Sequence, residues 1–245
     1  MWIQQNWRLT PERVAIHQSS ATAVLADMHL GYVAARRGDG EAVPHFGEAE
    51  RLDYLTELFQ QLQIKHVVVA GDLVESPRHG LPVVRDWATQ LEELHISLHL
   101  TPGNHDAGLQ DVPGLQVHHE GFAIGDWLVL HDAPVNDTRC MIHGHLHPTI
   151  RSAAAVGEAA CYLTTSNRLL LPAWNVRRGS VGLSLLPAWC YHAACVSVQS
   201  LTDWKDADCH AIVNDQVVAL GNVAALSQKL RRRPRPFRIG FGLTT

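Results

Sequence analysis

Apolar positions along the first hundred residues alternate between two spacings. Thr22 to Ala26 is a short continuous apolar run that stops at Asp27. His66 to Ala70, built around three valines, stops at Gly71-Asp72, and Ile96 to Leu100 stops at Thr101-Pro102-Gly103-Asn104. Between these runs the period lengthens. Leu52, Leu55, Phe59 and Leu62 recur at helical spacing inside Gly47 to Gln63, as do Val84, Trp87, Leu91 and Leu94 inside Val83 to Leu94. Short strands alternating with amphipathic helices predict β-α-β units and a sheet layered with helices.

Later the pattern changes. Trp127 to Leu130, Cys140 to Ile142, Tyr162 to Thr165, Arg168 to Leu171, Val181 to Leu186, Ala211 to Val213 and Val217 to Leu220 are strand-like runs separated by turn residues. They predict a second, mostly antiparallel sheet, and with it a sandwich of two sheets flanked by helices in one α/β domain over residues 1–230. Tyr32 to Phe46, rich in Gly, Arg and acids, reads as a loop. Residues 231–245 read as a basic tail, since the string RRRPRPFR at 231–238 suits neither a regular helix nor a central strand. The string LLPAW occurs twice, at 170–174 and 185–189, too little for a repeat architecture.

Composition narrows the class. The 245 residues are 46% hydrophobic and 18% charged with a formal charge of -4, which suits a globular core and argues against a uniformly basic nucleic-acid surface. No apolar run approaches the roughly 20 residues that span a membrane, and the N-terminus lacks the charged-then-apolar order of a secretory signal. The five cysteines, odd in number and without a CxxC, read as reduced thiols in a cytoplasmic protein.

The chemistry lies where the strands end. Asp27-Met28-His29, Gly71-Asp72, Gly103-Asn104-His105-Asp106, His131 and Gly144-His145-Leu146-His147 each follow a strand-like run. In layered α/β folds, ligands gather beyond the carboxyl ends of the strands. Carboxylate, imidazole and amide donors in this mixture suit a pair of divalent ions better than one zinc. Asp72 is the best candidate to bridge two cations. Asp27 and His29 can reach one ion, the two imidazoles of His145 and His147 can serve neighbouring ions, and Asn104 offers a neutral oxygen. His105 can protonate a leaving oxygen, with Asp106 orienting its ring. Arg36 and Arg37, near the first pair, are candidates to bind a substrate phosphate or to stand in a solvated loop. Each string alone has a plainer reading as a turn or cap, and His143 competes with His131; five strings in order at strand ends favour the metal reading.

The set D-x-H, G-D, G-N-H-D, H and G-H-x-H, complete from Asp27 to His147, resembles the calcineurin-like metallophosphoesterase superfamily. Within it, ADMHLGY followed by Ala34-Ala35-Arg36-Arg37-Gly38, and Asn167 to Trp174, look closest to the bacterial ICC-like phosphoesterases, a group that includes DNA-repair-linked endonucleases of the PdeM type. The resemblance implies a four-layer αββα sandwich of two mixed sheets and a dinuclear centre of Mn, with Fe or Zn as alternatives. It places Asp27, His29, Asp72 and His147 on one ion and Asp72, Asn104, His131 and His145 on the other, with His105 protonating the leaving group. The expected function is hydrolysis of a phosphodiester by metal-activated water, with DNA as one substrate. The alternatives are a small-molecule phosphodiesterase or phosphomonoesterase, and a non-catalytic scaffold of the same fold. No membrane partner is expected, and oligomeric state cannot be read from the sequence.

Overall fold

In the computed structural model, the described residues are 1, 3, 6–44, 47–134, 137–152, 157–175 and 196–231. The first sheet is built from β1 (Trp7–Leu9), β2 (Ala15–His17), β3 (Thr22–Leu25), β4 (His66–Val69), β5 (Ser97–Leu100) and β6 (Leu115–Val117), in that spatial order. β1 to β3 pair antiparallel and β3 to β6 parallel. The parallel crossovers carry helices α1 (Tyr32–Gly38), α2 (Glu48–Gln61) and α3 (Pro77–Glu93).

The second sheet holds β7 (Phe122–Ile124), β8 (Trp127–Val129), β9 (Cys140–His143), β10 (Pro148–Ser152), β11 (Gly157–Thr164), β12 (Arg168–Leu170) and β13 (Val196–Ser197), with β14 (Asp208–Val213) and β15 (Gln216–Asn222) continuing from β11. It is mixed, because β8, β9 and β12 run parallel to one another, as do β10 and β13. Helix α4 (Val223–Arg231) follows β15.

Three apolar layers explain why the runs read as they do. Ala23, Leu25, Val67, Val69, Leu98 and Leu100 face the helices, where Leu52, Leu55, Phe59, Val84, Trp87 and Leu91 meet them. Val24, Ala26, Val68 and Ala70 face the other way, against Trp127, Val129, Ile142, Tyr162, Leu169 and Leu171 of the second sheet. A strand buried on both faces must be apolar throughout, hence the unbroken runs. The outer face of the second sheet buries Ile150, Cys161, Leu163 and Leu170 under Val198, Trp204 and Val223. The result is two sheets flanked by helices, as the patterning predicts, and both sheets are mixed, as the resemblance implies.

Several expectations need correction. Tyr32–Gly38 is a helix, not a loop. Alanine and arginine are good helix formers, and charge does not oppose a helix with an exposed face. Helix α3 begins at Pro77, well before Val83. Pro77 fills the first helical position, where no N–H is needed, and Pro82 is accommodated inside the helix. Strands β1, β2, β6, β7 and β13, of two or three residues each, are too short to show a period. The expected strand Val181 to Leu186, the second LLPAW string and the tail from residue 232 onward lie outside the described residues; Arg231 ends α4. Among the described residues, Cys140, Cys161 and Cys209 are free thiols, and no helix is long and apolar enough to cross a membrane.

A chain of imidazoles runs across strands β4 and β5 to the residue that follows β6. His99 shares one hydrogen bond with His66 (3.1 Å) and another with His118 (3.1 Å), and its ring packs on Phe122. Burial, reinforced by repulsion from His118 and His66, pulls the His99 pKa down to about 4. An unfolded chain takes up this proton near pH 6.5. Between those values the unfolded state binds more protons, so stability is full above about pH 6.5 and is lost as pH falls toward 4. His143, pulled down to about 3 by burial and by Arg168, and His210, lowered by burial, act with the same sign. The melting temperature is therefore expected to fall between pH 7 and 4.5, with a shallower slope in His99→Gln. An equal slope in that variant would exclude His99 as a contributor.

Candidate metal centre

The predicted carboxylates and imidazoles converge beyond the carboxyl ends of the strands, and the local sequence shows how. In Asp27-Met28-His29 the middle residue is fully buried in the helix-side core, so its neighbours turn toward the site. Leu73 and Val74 anchor the segment after Asp72 in the same core. Leu146, between His145 and His147, packs against the outer core of the second sheet. These three ligand loops are thus each held by an apolar residue within or just beyond them.

Backbone conformation marks the same residues. Asp27, His29, Asp72, His145 and His147 all have φ between +42° and +68°. Such left-handed geometry at a non-glycine residue costs on the order of 1–3 kcal/mol, and the strain collects at functional sites. The turns are held by hydrogen bonds between neighbouring loops: Asp27 N–H to Gly71 C=O (3.0 Å), His29 N–H to Asp72 C=O (2.9 Å) and Leu30 N–H to Leu73 C=O (2.9 Å). Glycines supply the room. A Cβ at Gly71 would fall on the His131 ring, at Gly103 on the Asp72 carboxylate, and at Gly144 on the Asp27 carboxylate.

Two clusters of donors result. The ligand atoms of Asp27, His29 and His147 lie within 4.8 Å of one another, as do those of Asp72, His131 and His145; His29, Asp72 and His105 form a third, overlapping group. His147 Nε2 stands 3.2 Å from Asp27 Oδ1. His29 Nε2 and His131 Nε2 approach Asp72 Oδ2 to 3.9 and 3.6 Å, from opposite clusters. His131 places Nδ1 3.2 Å from the Ala70 carbonyl, and its Nε2 is 3.0 Å from His145 Nδ1. Donation from Nδ1 to Ala70 leaves the Nε2 lone pair pointing into the cluster.

Asp27 is fully buried and Asp72 is 4% exposed. Among the described residues neither is paired with a lysine or arginine; the groups that approach their oxygens are imidazoles. Buried carboxylates require a countercharge, and a donor set of carboxylate and imidazole fits divalent cations.

Asn104 sits on the loop between Gly103, whose backbone abuts Asp72, and His105, whose N–H donates to Asp72 Oδ1 (3.0 Å). Its own side chain is exposed. His105 lies beside the clusters, with its ring 5.0 Å from that of His29. Burial lowers the His105 pKa, but the Glu75 carbonyl and the carboxylates of Asp72, Glu75 and Asp106 outweigh it, so the net shift is upward.

Asp106 makes its hydrogen bonds to the backbone. Its carboxylate accepts from Gly103 N–H (2.8 Å) and Val74 N–H (3.2 Å), tying the loop down. The hydrogen-bond partner of the His105 ring is the Glu75 carbonyl, 2.7 Å from Nδ1. Glu75 escaped sequence reasoning, although an acid three residues after Gly-Asp was the available signal. Its side chain also reaches His29 Nδ1 at 3.0 Å, the kind of partner that orients a metal-binding imidazole. Glu48, which receives Gly31 N–H at 3.0 and 3.2 Å, was missed as well.

Arg36 and Arg37 do not join the clusters. Arg36 pairs with Glu41 (2.9 Å) and Arg37 donates to the Val43 carbonyl (2.8 Å), so both brace the segment after α1. His143 points away from the clusters, with its ring 5.6 Å from Trp204 and its Nε2 3.4 Å from Arg168 Nη2. His131 is the histidine that enters the site.

Fold and site together define a class: a hydrolase-type sandwich with candidate metal-binding clusters at the strand ends. The sequence profile of the calcineurin-like phosphoesterase family matches residues 21–171, and the chain belongs to that family, whose members work with divalent metal ions. The fold is similar to that in the crystal structure of Pseudomonas putida nuclease MPE, with a TM-score of 0.63 and 19% sequence identity, covering 87% of this chain and 94% of that one. No curated protein matches the chain in sequence.

Proposed function

We propose that the site holds two divalent cations and that the chain hydrolyses a phosphodiester, with nucleic acid as the leading substrate class. The observation that carries this reading is the pair of clusters meeting at one buried carboxylate, Asp72. Asp27, His29, Asp72 and His147 would hold one ion, and Asp72, Asn104, His131 and His145 the other, Mn first, with Fe or Zn as alternatives. When bound, such ions lower the pKa of a shared water toward neutrality and neutralise the phosphoryl oxygens.

The chain's own groups supply the rest. With Nδ1 donating to the Glu75 carbonyl, His105 presents Nε2, from which a proton can pass to the leaving oxygen. The hydrogen bond from His105 N–H to Asp72 Oδ1 ties the acid to the carboxylate shared by both clusters. Asp106 keeps the loop that carries His105 in place. The nuclease name of the structural neighbour supports nucleic acid as the substrate class. The formal charge of -4 favours the second reading, a small-molecule phosphodiesterase or phosphomonoesterase.

Metal-stripped protein with Mn added back should cleave bis-p-nitrophenyl phosphate, and then DNA with an affinity that falls steeply as salt rises. Cleavage of p-nitrophenyl phosphate alone would overturn the diesterase reading. Loss of all turnover with two ions bound would favour a scaffold.

A further inference from the structure

The first LLPAW string, unexplained by sequence, becomes a strap. Leaving β12, the chain crosses to the end of β3, where Ala173 forms a parallel bridge with Ala26. Trp174 N–H donates to Ala26 C=O (2.9 Å) and Asn175 N–H to Asp27 C=O (3.4 Å). Asn175 Nδ2 then donates to the carbonyl of His29 (3.2 Å). A single residue therefore bonds to both ends of the left-handed Asp27–His29 turn.

The strap is itself secured from two sides. Arg13, 4% exposed, donates through Nη1 to the carbonyls of Ala173 (3.0 Å) and Trp174 (3.1 Å). Arg51, from α2, stacks on the Trp174 ring with 4.0 Å from guanidinium carbon to centroid. It donates to the Trp174 carbonyl (2.7 Å) and reaches Asn175 Oδ1 at 3.5 Å. Two buried or half-buried arginines spent on backbone carbonyls are more than a surface turn needs. Their effect is to fix Asn175 over the turn.

We propose that Asn175 is a positioning residue that sets the cation affinity of the Asp27/His29 cluster. The assignment rests on the reading that these two residues hold an ion. Both turn residues adopt a backbone conformation that non-glycine residues rarely take, so without the bond from Asn175 Nδ2 to the His29 carbonyl, the one a side-chain substitution removes, the His29 end of the turn relaxes and the two donor atoms separate. The bonds of the strap to the ligand loops run to Ala26, Asp27 and His29, so the effect falls mainly on that cluster. Residues that orient metal ligands typically change affinity 10–100-fold when lost.

The test is calorimetric titration of MnCl2 into the chelator-treated full chain. The parent should take up two ions. Asn175→Ala should bind one of them about 10–100-fold more weakly, keep the affinity of the other, and melt in its metal-free form where the parent does. Excess Mn should restore its kcat. Arg51→Met, which keeps the stem over Trp174 but loses the donors, should move the same ion in the same direction to a smaller extent. Unchanged affinity for both ions would overturn the assignment. Equal weakening of both, with a lower metal-free melting temperature, would show a general structural role and also overturn it. A parent that takes up no Mn would instead overturn the reading of the metal site itself.

Discussion

Asp72→Asn should lose bound metal while keeping the fold. The substitution is nearly isosteric, and an asparagine Oδ1 can still accept the His105 N–H that Asp72 receives at 3.0 Å. What disappears is the negative charge that His29 and His131 approach from the two clusters. In its place an amide N–H₂ would face one of those imidazoles. Loss of a residue that merely orients a metal ligand lowers affinity 10–100-fold. A shared carboxylate should exceed that, so a drop of more than about 100-fold is expected, with activity falling in step. Elemental analysis after dialysis, beside calorimetry with MnCl2, reads the result. Retention of two ions at parental affinity would remove Asp72 from the bridging role.

His105→Gln should do the reverse, keeping both ions and losing turnover. General acids typically contribute 10²- to 10⁴-fold, and a loss in that range is expected for an ester with a poor, alkoxide-like leaving group. For bis-p-nitrophenyl phosphate, whose leaving group departs without protonation, the loss should be much smaller. This contrast matters because His105 also groups with His29 and Asp72 as a candidate metal-binding set. A ligand would lower both activities together and release metal; an acid would separate the two substrates. Equal rates in variant and parent on the poor leaving group would end the acid assignment.

The difference between Asp106 and Glu75 shows where sequence reasoning stops. Adjacent to His105 in the chain, Asp106 is the natural candidate to orient the ring. In space its carboxylate turns back to cap Gly103 and Val74, and the orienting group is a backbone carbonyl that no side-chain pattern announces. Arg36 and Arg37 teach the same lesson. Their nearness in sequence to Asp27 and His29 left substrate contact and a solvated loop both open, and the fold adds partners at Glu41 and Val43 that no local pattern announces. By contrast, the choice of His131 over His143 agreed with strand alternation. Ile142 faces the inter-sheet core, so His143 must face the opposite side, where Trp204 and Arg168 meet it.

By itself, the sequence determined the layered α/β architecture, because strands buried on both faces must be apolar throughout and helices buried on one face must repeat at 3.6 residues. It also determined the donor strings, because their residue types and positions at strand ends are local properties. Only the tertiary structure decided the partners. Glu75 on His29, Asn175 and its two arginines over the Asp27–His29 turn, and Glu48 on Gly31 come from segments up to 161 residues apart. Contacts of that range depend on which loops the sheet order brings together, and on left-handed turns held by those neighbours, so no window of sequence contains them.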